Sequence, residues 1–189
     1  MTAETASMSL VRFATAQAVF EAFPELSQKV SAKPNEEFPI RYLKSLVATG
    51  KDEDAVTFCA YLLPRREAVW WACGCVKALT ADIADDPAAL LAAEAWVMES
   101  NDARRQAALE LGTRGHHDDP LTWLALAAGW AGGLLASGPH QSIPMPHYLT
   151  ARAARTAILI SALRVRRDQR PAYLKSCVAD GIRLAEDGA

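Results

Sequence analysis

An all-α fold is predicted by three observations. Apolar residues recur at helical spacing along most of the 189 residues. Acidic residues followed by proline open two Ala/Leu-rich runs, at "ADDP" (residues 84–87) and "HHDDP" (residues 116–120). No segment of useful length alternates apolar and polar side chains as a half-buried strand does. The expected architecture is a compact irregular multi-helix bundle of about eight helices. Helical-repeat-like packing is the alternative, although no fixed period of ~34 to 47 residues aligns. Residues 1–9 read as a flexible N-terminus and residues 10–189 as a single helical domain.

The elements follow in order. "LVRFATAQAVFEAF" carries Val11, Ala14, Ala18 and Phe23 at helical spacing, and Pro24 ends it. "SAKPNEEFP" is a loop, with two prolines in a polar cluster. "IRYLKSLVATG" is a short amphipathic helix stopped at Gly50. Asp52 is expected to cap "EDAVTFCAYLL", and Pro64 blocks its continuation because it has no N–H to donate. "RREAVWWACGCVKALT" therefore starts afresh. Pro87 opens "AALLAAEAWVMES", and Asn101 or Ser100 caps "DARRQAALELG". Asp119 caps the apolar run "LTWLALAAGWAGGLLA", in which Gly132 and Gly133 mark an end or a kink. "SGPHQSIPMPHYL" holds three prolines and cannot be regular helix. Thr150 is expected to cap "ARAARTAILISALRVRR", and Pro171 opens the last helix.

The segment 62–76, "LLPRREAVWWACGCV", concentrates unusual residues. Adjacent helical positions point about 100° apart, so Trp70 and Trp71 cannot share a face. Lys77 is the one charged residue between Ala68 and Leu79, which predicts the most buried helix of the fold, with at least one indole in the core. Gly74 in its middle suggests a close approach by a neighbouring helix or an indole. Cys73 and Cys75 diverge on a helix and cannot converge on one ion. With Cys59 and Cys177 they read as free, buried thiols in a reducing compartment, and no metal is expected. The arginines are harder to place. Arg65 and Arg66 occupy a first helical turn, where the dipole disfavours cations. The offset is either local, with one of them reaching Asp52 or Asp54, or functional, with the outward one and Glu67 meeting a partner's carboxylate.

Charge is uneven. Residues 80–119 hold nine acids against three arginines, a balance of −6, whereas residues 150–189 hold eight bases against four acids, a balance of +4. "RVRRDQR", with Arg166 and Arg167, is the densest basic cluster. Such asymmetry serves either internal complementarity or a docking patch. A net charge of −2 gives no general drive toward nucleic acid or anionic membranes. The first twenty residues lack a signal-peptide pattern, and no apolar run reaches the length of a membrane span, so a cytoplasmic protein is expected. "HHDDP" aligns metal-capable side chains, but contiguous loop residues rarely converge on one ion. His140 and His147 flank the proline loop and are the loop candidates.

"LLPRREAVWWACGCV", "NDARRQAALELG", "GWAGGLLASG" and "HYLTARAARTAILISALR" together resemble an uncharacterised family of bacterial all-helical domains, over about residues 40–165. "PRREAVWWA" is the most specific part. The resemblance brings no catalytic residues. Members of that family are often encoded beside type VI secretion genes, which implies a cytoplasmic accessory protein. The expected function is thus a non-catalytic helical protein-interaction module, an adaptor, chaperone or accessory protein of a type VI-like secretion system. Its partner would be another protein, with no cofactor, nucleic acid or membrane insertion. The candidate contact residues are Arg65, Arg66, Glu67, Arg104, Arg105, Arg166 and Arg167. The alternative is a small-ligand-binding protein or enzyme that uses Arg65, Arg66 and Glu67 at the end of the Trp-rich core helix.

Overall fold

The computed structural model describes residues 9–79, 87–138 and 141–187. Helix α1 (Ala16–Ala22) begins where Thr15 accepts a hydrogen bond from the Ala18 N–H at 3.1 Å, later than the apolar spacing alone suggests. A 3-10 turn (Pro24–Gln28) and α2 (Pro39–Ala48) follow. Gly50 then takes the left-handed conformation (φ 72°) expected of a helix-ending glycine. Helix α3 (Asp52–Leu62) starts behind Lys51. Asp52 is thus a first-turn residue and not the cap predicted for it. Pro64 separates α3 from α4 (Arg65–Lys77), as its missing N–H requires. Helix α5 (Ala88–Met98) is followed by α6 (Asp102–Arg114), capped by Asn101, and α7 (Pro120–Gly129), capped by Asp119.

Two boundaries correct the sequence reading. The run 121–136 is not one helix: α7 stops at Gly129, and β1 (Leu134–Gly138) pairs antiparallel with β2 (Gln141–Pro144) as the two arms of a hairpin. Helix α8 (His147–Arg164) starts directly behind Pro146, so Thr150 lies within its first turns and does not cap it. Proline pre-sets the dihedral a helix start needs, and it does so here four residues before the hydroxyl is reached. Helix α9 (Arg170–Asp187) completes the chain.

Among the described residues, nine α-helices and one two-stranded sheet form an all-α bundle. Helix α4 packs on α5, α7, α8 and α9, while α8 and α9 return to α3. The Leu10 N–H donates to the Ala185 carbonyl at 3.0 Å, joining the two ends of the described chain. In an open solenoid each repeat touches only its neighbours; these returning contacts close the bundle instead. The most buried helices are α3 and α7, with nine buried residues each against seven in α4, which corrects the expectation for α4. The reason is the two-sided cover of α3 and α7 by the returning elements, whereas one side of α4 faces solvent at Trp70 and Gly74. No described helix is long and apolar enough to cross a membrane.

Trp71 is in the core. Its indole N–H donates to the Cys177 carbonyl at 2.7 Å, and its ring lies against Gly181, where an added Cβ would sit 3.0 Å from the indole nitrogen and would also meet Cys59 Sγ. The four cysteines are free and buried. Burial pushes the Cys73 thiol up to about 12 and raises that of Cys59, so neither supplies a thiolate near neutral pH.

Candidate interaction site

The arginines that open α4 do not reach Asp52 or Asp54, contrary to the local pairing expected. Arg65 donates from Nη1 to the Ala131 carbonyl at 2.8 Å and from Nη2 to the Met145 carbonyl at 2.6 Å. Arg66 donates from Nε to the Val97 carbonyl at 2.8 Å and stands 3.5 Å from Glu67. The physical reason lies in the helix ends. Val97 is in the last turn of α5 and Ala131 just beyond α7, where unpaired carbonyls carry the negative ends of those helices. They offset the unfavourable placement of two cations at the positive end of α4. Asp54 is committed elsewhere: its Oδ2 accepts from the Ser31 N–H at 2.9 Å and from the Ser31 hydroxyl at 2.6 Å.

Arg105 works from the other side. It is 7% exposed, donates from Nη1 to the Gly129 carbonyl at 3.0 Å, and bonds Asp102 through Nε at 2.8 Å. Its guanidinium also covers Gly133, where an added Cβ would lie 2.8 Å from Cζ. Gly133 itself is left-handed (φ 81°), and its carbonyl accepts from the Met145 N–H at 3.0 Å, closing the base of the hairpin. Arg65 and Arg105 therefore grip both legs of one hairpin. Arg104 is exposed and pairs with Glu99 at 3.6 Å. Five of the seven candidate contact residues, Arg65, Arg66, Glu67, Arg104 and Arg105, thus gather where α4 and α6 begin and α5 and α7 end.

The hairpin they hold is apolar and unpacked. Leu134 is 66% exposed, Leu135 40% and Ile143 44%, and Leu135 faces Ile143 across the strands. Exposed β-branched and leucine side chains contribute nothing to a core, and a two-stranded sheet leaves both outer edges unpaired. Nearby on the chain, Tyr148 is also exposed. A second apolar surface surrounds Trp70. Trp70, Cys73, Glu94, Val97 and Met98 line a cavity of about 260 Å³, with Met98 82% exposed. On its other side a cavity of about 360 Å³ lies between α4 and α9, floored by Gly74. Nothing approaches Gly74 within 4 Å of an added Cβ, so the close neighbour expected there is absent and an open surface takes its place.

The remaining candidates separate. Arg166 pairs with Asp168 at 3.1 Å in solvent, and Arg167 lines a cavity of about 390 Å³ with Asp52 and Arg170. That cluster sits at the start of α3, whereas the gathering of arginines lies beyond its end, a helix length of roughly 16 Å away. His147 lies beside Arg65 in a small cavity that Arg12, Tyr61 and Thr150 also line. Burial first, then Arg65 and Arg12, hold its pKa below the ordinary value of 6.5. His140 lies outside the described residues. Among the described residues no three His, Cys, Asp or Glu side chains are placed to share a metal ion. The strand pairing and Tyr61 were not singled out from sequence, and Thr150 was read only as a helix cap. The available signals were the Gly132–Gly133 pair and the "PMP" that ends the loop, both of which mark a change of direction.

A family model described as a family of unknown function (DUF6931) matches residues 42–185. The match takes in both hairpin-gripping arginines and leaves out Arg12. No curated protein and no solved structure matches the chain.

Proposed function

We propose, from the premise that the chain belongs to the DUF6931 family of unknown function, that it is a non-catalytic protein-interaction module whose docking element is the β1–β2 strand pair. One observation carries the reading: exposed apolar side chains ride on an element whose base is fixed by two arginines. A merely floppy loop has no need of three charge-assisted bonds at its base, and pre-organisation lowers the ordering cost a partner would otherwise meet. The Trp70–Met98 surface supplies a second apolar contact. The likeness of "PRREAVWWA" to domains encoded beside type VI secretion genes favours an accessory or adaptor role in such a system, in the cytoplasm, with another protein as partner. Ligand chemistry at the Arg65–Arg66–Glu67 triplet has less support, because both terminal nitrogens of Arg65 and the Nε of Arg66 are occupied by carbonyls.

A photo-crosslinking residue placed at 134 or 143, in cells that naturally express the protein, tests this. Capture of one defined protein from both positions, and not from exposed position 175 on α9, is the expected result. Capture should be lost in Leu134→Ser/Ile143→Ser with the melting temperature unchanged. Equal capture from all three positions, or from none, ends the reading.

A further inference from the structure

The small cavity beside Arg65 has a composition that a protein interior does not tolerate without an occupant. Tyr61 and Thr150 are each 1% exposed, yet among the described residues the Tyr61 hydroxyl and Thr150 Oγ1 have no hydrogen-bond partner, and neither has the buried Nε of Arg65. All three groups border one cavity, together with Arg12 and His147. Leaving such groups unpaired carries their full desolvation penalty with nothing to offset it. Helix α8, eighteen residues long, begins at this cavity with no side chain capping its first turn, so its positive end adds to the field. Among the described residues no acidic side chain lines the space. Glu25 acts on the Tyr61 hydroxyl from nearby but does not border the cavity.

We propose that this cavity is a carboxylate-binding site, in which one oxygen of the ligand accepts from Tyr61, Thr150 and Arg65 Nε while the other faces Arg12 and His147 at the mouth. The polarity is argued by the donors: an Nε–H can only donate, both hydroxyls are free to donate, and the flanking charges are positive. The size is argued by the space. The cavity holds about 10 Å³, room for a single oxygen-sized group, so one oxygen of the ligand enters and the rest of it lies at the mouth. The carboxylate belongs either to a small organic acid or to the end of a peptide chain. The site stands apart from hairpin docking, since it needs no partner protein and uses the one Arg65 nitrogen the hairpin does not.

The test is a titration of the isolated protein with sodium acetate at constant ionic strength, followed by the 1H–15N resonance of Arg65 Nε. A saturable shift with a millimolar dissociation constant, at least tenfold tighter than for chloride, is expected. Tyr61→Phe/Thr150→Val should weaken it at least tenfold. Arg12→Gln, at the exposed mouth, should weaken it several-fold in a protein that melts as the unmodified one does. A short peptide with a free C-terminus, set against its amidated form, separates the sources: tighter binding than acetate that amidation abolishes assigns the site to chain ends, and binding no tighter than acetate assigns it to small acids. The absence of any saturable shift, with acetate and peptide alike, would mean that a single water fills the cavity and overturns the proposal. So would a shift that the Tyr61/Thr150 variant leaves unchanged.

Discussion

Trp70 and Trp71 are neighbours in the chain, yet one is 46% exposed and the other 4%. The indole of Trp71 fills the space that Gly181 leaves and ties α4 to α9 through the Cys177 carbonyl. Trp71→Ala should therefore destabilise the protein by about 3–5 kcal/mol in a denaturant melt, the cost of a large core cavity. Trp70→Ala should cost less than about 1 kcal/mol. The divergence of the two rings was legible from helical geometry alone. Which of them is buried was not, because that depends on where a glycine more than a hundred positions away stands. Gly74 shows the same limit: a glycine in an apolar helix marks either a close neighbour or an open face, and the local sequence is identical in both cases. Arg65 and Arg66 were correctly marked as needing compensation. Backbone carbonyls provide it, and a carbonyl has no residue identity that a sequence could betray.

At the scale of elements, caps and prolines were readable and the hairpin was not. Asn101, Asp119, Pro64 and Gly50 act where their chemistry places them. The strands are short, Leu134 and Leu135 are consecutive apolar residues with no alternation, and the run continues α7 without a break in hydropathy. Residues 130–133 separate helix from strand, and of these Gly133 is the one in the left-handed conformation. Gly133→Ala should accordingly destabilise the fold by about 1–2 kcal/mol, from the left-handed backbone and the crowding against Arg105. Gly132→Ala meets Arg105 only at an ordinary 3.4 Å and should be close to neutral. Paired thermal melts decide this, and equal effects would show that the hairpin turn does not depend on Gly133.

For the whole molecule, the helical class followed from periodicity, whereas the closed arrangement depended on contacts between α3 and the last two helices. The charge asymmetry is partly internal: Arg164 of α8 reaches Asp119 at the start of α7 at 3.4 Å, leaving much of the basic C-terminal surface exposed. Global stability should also carry the mark of His147. Its pKa is held below 6.5 in the folded protein, so below that pH the unfolded chain takes up a proton that the folded chain resists. The stability contributed by this group is whole above about pH 6.5 and is lost as pH falls through the depressed value. The drop in melting temperature between pH 7.5 and pH 5.5 should shrink in His147→Gln, and an unchanged drop would place the titration elsewhere.

The grip of Arg65 spans 66 residues to Ala131 and 80 to Met145. Contacts so distant in the chain bring large loop-closure entropies and come late in folding unless something local precedes them. Everything needed to place Arg65 is local to α3 and α4, but the carbonyls it holds must wait for α7 to dock and α8 to begin. The hairpin is therefore locked only after both of those helices are in place. Arg65→Met should speed unfolding while leaving the refolding rate nearly untouched, and it should accelerate amide exchange in the hairpin well before the helices are affected. A protein that completes itself in this order keeps its apolar hairpin unfastened until α7 and α8 are in place, so the same two carbonyls that finish the fold also finish the surface.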